Sequence, residues 1–257
     1  MGRVLAITNQ KGGVGKTTTG VNLAASLGAA KRRVLLVDLD PQDNATMGSG
    51  LDKRTVQASV YELLIGSASI RNVRVRAPAG EYDLLPANRE LAGAEVELVD
   101  LDRREVRLKE ALHQVEDEYD FVLIDCPPAL NLLTVNGLTA AHAVLIPMQC
   151  EYYALEGLSD LVATVKKVRA HLNPSLQIEG LLRTMYDPRN TLAQQVSAQL
   201  IEHFGDKVYR TVIPRNIRLA EAPSHGVPAL KFDRTSKGAQ AYLALAGEML
   251  NRQEQAA

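Results

Sequence analysis

Apolar positions along the chain follow two rhythms. Short runs rich in branched or leucine side chains recur at 4–8, 34–37, 83–85, 121–124, 143–147, 178–184 and 208–213. Runs of this length, bounded by turn residues, predict buried strands. Between several of them the apolar residues return every three or four positions instead. Leu155, Leu158, Leu161, Val162, Val165 and Val168 share one helical face, as do Leu192, Val196, Leu200 and Phe204, and a last helix from about Ser236 carries Tyr242, Leu243, Ala246 and Leu250. Strands alternating with amphipathic helices predict parallel β-α-β units, hence an α/β fold with one doubly wound, mostly parallel sheet flanked by helices. The stretch 47–80 is the least periodic and is expected to lie on the surface. No repeat, low-complexity tract or Gly/Ser linker interrupts residues 1–257, which are expected to form a single domain.

Composition narrows this picture without redirecting it. A chain of 257 residues that is 46% apolar can bury a sizeable core. A net charge of -1 and a pI near 6.5 provide no global attraction to nucleic acid or an anionic membrane, so local charge must decide such partners. The two cysteines, Cys126 and Cys150, lie in contexts unlike a disulfide scaffold or a CxxC metal knuckle, and reduced thiols are expected. Arg3 already belongs to the first apolar run, leaving no room for a signal peptide, and no apolar run approaches the roughly 20 residues that cross a bilayer. The expected location is cytoplasmic.

Chemistry enters at the end of the first run, which passes directly into Gln10-Lys11-Gly12-Gly13-Val14-Gly15-Lys16-Thr17, followed by a helix-compatible stretch to about Ala29. Strand, glycine-rich loop and helix in that order form a phosphate cradle. The glycines let backbone N–H groups crowd around phosphate oxygens, and the helix N-terminus adds partial positive charge. Lys16 is placed to bridge the outer phosphates and Thr17 to offer its hydroxyl to Mg2+. Gln10 stands where the ordinary P-loop has a glycine, a departure that the glycines at 12, 13 and 15 offset. Two further runs end in carboxylates: Asp38 and Asp40 after 34–37, and Asp125 after 121–124. Strand C-terminal ends form the ligand crevice of open α/β sheets, so all three are expected to converge on the metal and phosphates.

These residues resemble the deviant Walker A ATPases, and most closely the ParA/Soj partition ATPases of the MinD/ParA superfamily. The likeness rests on KGGVGKTT, VLLVDLDPQDNAT and YDFVLIDCPP, continues through IPRNIRLAEAPSHGVPAL, and covers nearly the whole chain. It implies an ATPase, weak alone and stimulated by a partner, with ATP and Mg2+ as cofactors. Nucleotide contacts would come from Lys11, Gly12, Gly13, Val14, Gly15, Lys16, Thr17 and Thr18, with Pro214 and Asn216 on the adenine side. In this family the extra lysine, here Lys11, reaches across a nucleotide-sandwich homodimer to phosphates held by the other subunit, a cation supplied in trans to the charge that spreads over the phosphoryl oxygens. Gly12 would lie where two subunits approach too closely for a side chain. Asp40 matches the aspartate that orients or activates the attacking water, giving Lys11, Lys16 and Asp40 as the catalytic set. Thr17 would attend Mg2+ together with Asp38 and Asp125, the two aspartates through water.

Relatives on this scaffold differ in what the ATP switch controls. A MinD-type ATPase ends in a basic amphipathic helix, but here the segment after Gly247 has one arginine and two glutamates and no bulky apolar face beyond Leu250, so membrane attachment is not expected. An iron–sulfur reductase needs cluster-binding cysteines, and Cys126 and Cys150 read instead as small buried side chains. ATP-dependent metabolic enzymes, reductases and MinD-like positioning ATPases stand as the alternatives. Charge favours the DNA-linked branch: residues 183–237 hold nine basic side chains against five acidic, whereas acids dominate 81–125. By the resemblance, Arg189 and Arg218 bind double-stranded DNA nonspecifically in the ATP dimer, a ParB-type protein stimulates hydrolysis, and the cycle drives chromosome or plasmid partition from the nucleoid. No helix-turn-helix precedes Arg3, so operator recognition is not expected.

Overall fold

A computed structural model describes residues 2–256. Seven strands form one sheet: β1 (Arg3–Ile7), β2 (Val34–Asp38), β3 (Val75–Arg76), β4 (Asp83–Leu85), β5 (Phe121–Asp125), β6 (Ala143–Gln149) and β7 (Gln177–Thr184), in the order β3-β4-β2-β5-β1-β6-β7. Only β3 and β4 pair antiparallel. The helices are α1 (Lys16–Ala29), α2 (Asn44–Gly48), α3 (Val60–Ile65), α4 (Ile70–Val73), α5 (Leu91–Glu97), α6 (Arg107–His113), α7 (Leu132–Ala140), α8 (Ala154–His171), α9 (Thr191–Phe204), α10 (Ile217–Glu221), α11 (Ala229–Phe232) and α12 (Lys237–Ala256).

Successive side chains of a strand point to opposite faces, and β5 shows the result: Phe121 and Leu123 enter one core, Val122 and Ile124 the other. The central strands are buried on both sides, as a parallel sheet between two helical layers requires. The layer of α1 and α12 contributes Leu23, Leu27, Tyr242, Leu245 and Met249, and the layer of α3 through α9 contributes Val60, Leu91, Leu133, Leu158 and Leu200. In α12 the buried stripe runs through Tyr242, Leu245, Ala246 and Met249, with Leu243 and Leu250 only half-buried. Pairing of Ile7 and of Asp38 with Asp125 sets the ends of β1, β2 and β5 side by side, which creates the crevice where the glycine-rich loop emerges.

Two expectations need correction. The stretch 47–80 is not superficial: it contains α3, α4 and β3, and Val60, Leu64, Ile70 and Val73 are fully buried. Its helices are only four to six residues long, too short for a periodic signal. Residues 208–213, expected as a strand, lie along β7 without joining the ladder. Tyr209 and Ile213 donate to Leu181 O (3.0 Å) and Arg183 O (2.9 Å), but between them side chains take the backbone groups a ladder would need. Both Glu248 carboxylate oxygens accept from the Arg210 and Thr211 amides at 2.8 Å, and Arg183 Nη2 donates to the Tyr209 and Arg210 carbonyls at 2.8 and 3.2 Å.

Candidate nucleotide site

The loop between β1 and α1 turns through Gly13 (φ 73°) and Gly15 (φ 86°), left-handed conformations that favour glycine, and Gly15 N-caps α1. No side chain caps that N-terminus and its first turn holds no acid, so its amides and dipole are available to an anion. Neighbours hold the loop in shape. Asn9 Oδ1 accepts from the Lys11 amide (3.0 Å), Gln149 Nε2 donates to Gly13 O (3.3 Å) and Thr184 Oγ1 to Val14 O (2.8 Å). Lys16 is buried, and its ammonium donates to the Lys11 carbonyl at 3.2 Å, closing the loop on itself. Burial pulls its pKa below the usual lysine value, while Asp125 and Asp40 act the other way. Thr17 and Thr18 follow in the first turn of α1, where Thr18 O accepts from Asn22 Nδ2 at 2.8 Å.

The three aspartates occupy different environments. Asp38 is fully buried and its oxygens are taken: Oδ2 accepts from the Thr46 amide (2.8 Å) and hydroxyl (2.7 Å), and Oδ1 from the Asp40 amide (3.2 Å). Burial nevertheless pushes its pKa up to about 7. Asp125 is equally buried, but neither carboxylate oxygen has a hydrogen-bond partner of normal geometry. Burial and the Asp38 charge raise its pKa well above the carboxylate range, against a smaller opposing effect of the Thr17 hydroxyl and of Lys16. Half-buried Asp40 accepts from the Gln42 amide at 3.0 Å. Among the described residues no three His, Cys, Asp or Glu side chains gather closely enough to hold a metal alone. What fits Mg2+ is narrower: the two orphaned Asp125 oxygens and the Thr17 hydroxyl, hard donors for an ion that retains waters and takes phosphate oxygens as its other ligands.

Lys11 is half-exposed and its ammonium forms an ion pair with Glu151, just beyond β6. A Cβ built on Gly12 meets nothing within 4 Å, so no contact inside one subunit demands glycine there. Pro214 bridges Tyr186, and Asn216 N-caps α10 by accepting from the Arg218 amide at 3.1 Å. Arg189 and Arg218 are both exposed and both paired: Arg189 with Asp187 through two hydrogen bonds (3.0 and 2.8 Å), Arg218 with Glu221 (2.8 Å) and Asp233 (3.4 Å). Arg183, counted in the basic segment, is a residue of β7 and is almost entirely buried, donating to Ser197 Oγ. Thr46, Gln149, Glu151 and Thr184 shape the site without having been visible as a pattern. Thr46 follows Asp38 by eight residues and meets it only because α2 folds back over the strand end.

A parallel sheet with a glycine-rich loop at the end of a central strand, a buried lysine in that loop and a buried aspartate ending the adjacent strand define a P-loop ATPase. A family model described as an AAA domain matches residues 2–178. The chain is 55% identical to the sporulation initiation inhibitor protein Soj of Bacillus subtilis, over 97% of this chain and 98% of that protein, and 50% identical to the chromosome partitioning protein ParA of Caulobacter vibrioides, over 98% and 95%. It belongs to the Soj/ParA family of chromosome-partitioning ATPases. Among solved structures, cobyrinic acid a,c-diamide synthase from Mycobacterium smegmatis, with bound ATP analog and magnesium, superposes with a TM-score of 0.89 at 42% identity, covering 100% of this chain and 97% of that one.

Proposed function

We propose that this chain is a single-domain partition ATPase that dimerises on ATP and Mg2+, binds double-stranded DNA nonspecifically in that state, and releases it after hydrolysis stimulated by a ParB-type protein. The observation that carries the chemistry is the uncapped N-terminus of α1 facing a crevice with a buried lysine and an unpartnered buried carboxylate, Asp125. Phosphates meet the amides from Gly12 to Thr18, and Lys16 exchanges the Lys11 carbonyl for phosphate oxygens. Thr17 and Asp125 attend Mg2+, which would neutralise charge on the outer phosphates, while Asp38 acts through the Asp40 amide and Thr46. Asp40 holds the attacking water. Lys11 leaves Glu151 for the other subunit's phosphates, and Pro214 and Asn216 flank the adenine.

The apolar stripe of α12 is covered by α1, and Tyr242 Oη lies 3.1 Å from Thr19 Oγ1, so this helix has no free face for a membrane. Among the described residues no helix is long and apolar enough to cross one. The partition reading places the protein in the cytoplasm and on the nucleoid. The similarity to a solved amide synthase supports a second reading, an ATP-dependent metabolic enzyme. Retention on DNA separates the two. The partition reading expects ATP-dependent, salt-sensitive retention; its absence, with turnover stimulated by a small metabolite, would select the synthase.

A further inference from the structure

We infer that the cleft alongside the edge strand β7 is a second binding site, built for a compact dianion bearing phosphate or carboxylate groups. The cleft has a volume of about 640 Å³, within the range of small-ligand sites, and lies between the ends of α9 and α12. Arg3, the first residue of β1, and Glu179 of β7 line one end of it, and the cleft runs along β7 to Arg183, one residue before Thr184, whose hydroxyl donates to Val14 O of the glycine-rich loop.

Five basic side chains line the cleft (Arg3, Arg183, Lys207, Arg210 and Arg252) with three carboxylates. Two carboxylates are already engaged. Glu179 pairs with Arg3 and accepts from the Tyr209 hydroxyl at 2.9 Å; Glu248 accepts from the Arg210 and Thr211 amides and pairs with Arg252 at 2.8 Å. Among the described residues Arg183, Lys207 and Arg210 have no ion-pair partner, nor does Asp206. Three unpaired cations less one unpaired carboxylate leave two positive charges, which selects a dianion.

Arg183 is the second, independent observation. It is only 8% exposed, yet its hydrogen bonds go to neutral oxygens alone, Ser197 Oγ at 2.7 Å and the Tyr209 and Arg210 carbonyls, and its Nε is buried without any partner. A guanidinium withdrawn from water with no counter-charge and an unused N–H is costly unless an anion reaches it. Lys207, just past α9, also lies where a helix dipole favours a cation. That explanation does not extend to Arg183 in β7 or to Arg210.

The inference is independent of DNA binding and of dimerisation. It is tested by NMR on the full chain with the nucleotide crevice saturated by ADP and Mg2+, titrating inorganic phosphate and, separately, succinate. The expected result is a saturable shift of the Arg183 Nε–H signal and of the 207–210 amides with at least one of the two. In Arg210→Glu, and independently in Lys207→Glu, the affinity should fall at least tenfold while the β1 amides stay in place. A response to phosphate alone identifies a phosphorylated ligand, and to succinate alone a dicarboxylate; both support the site. No saturable shift, equal affinity in both variants, or movement of these signals only with duplex DNA overturns the inference.

Discussion

The resemblance implies that Arg218 contacts DNA, but the structure holds it against Glu221 at 2.8 Å and Asp233 at 3.4 Å, with its guanidinium 5.9 Å from the Phe232 ring. A phosphate must therefore compete with carboxylates for this side chain. Glu221→Gln removes the nearer competitor. Exposed ion pairs are weak, so relief in both subunits should tighten DNA binding a few-fold and at most about tenfold. Arg218→Glu removes one phosphate contact per subunit. At about 0.9 per contact, the slope of log affinity against log salt should become shallower by roughly 1.8. Between 50 and 200 mM salt that difference amounts to about one decade, so the wild-type surface should lose roughly tenfold more affinity than the variant across this range. The assay is fluorescence anisotropy on a short duplex with the ATP-bound Asp40→Ala dimer, which removes turnover from the measurement. An unchanged affinity in Glu221→Gln together with an unchanged slope in Arg218→Glu would refute the reasoning and move the DNA surface elsewhere.

Gly12→Val should bind nucleotide yet stay monomeric with ATP and Mg2+ by light scattering, because a Cβ there meets nothing within 4 Å in one subunit and the expected obstruction comes from the other; normal dimerisation would rule the steric account out. Asp40→Ala should bind ATP, dimerise and turn over at least about a hundredfold more slowly, whereas Lys16→Ala should lose phosphate binding and Lys11→Ala should lose hydrolysis and stable dimers; near-normal phosphate release by Asp40→Ala removes it from its role. Gly137→Ala should destabilise by about 1–3 kcal/mol in denaturant unfolding, since the new Cβ would sit 2.8 Å from Cys126 Sγ and 3.2 Å from Leu39 Cδ1, and Cys126→Ala in the same chain should recover most of that loss. Equal stability of Gly137→Ala and wild type would show that the helix–strand contact has slack.

Sequence pattern determined six of the seven strands, the mostly parallel sheet and the phosphate loop, because burial on both faces forces continuous apolar runs and a phosphate cradle demands glycines at fixed spacing. It also placed Asp38, Asp40 and Asp125 at strand ends. Tertiary structure decided what those residues are: Asp38 is consumed by Thr46 and the Asp40 amide, while Asp125, at the same sheet edge, has no partner. It decided that Lys11 rests on Glu151 and that Arg183 is an interior residue rather than surface charge. It also overruled the strand pattern at 208–213, where Glu248 from α12 and Arg183 from β7 bind the backbone before a ladder can. Local pattern records which face of an element is buried. Which polar group satisfies which depends on residues tens of positions apart, and those meet only when the chain has folded.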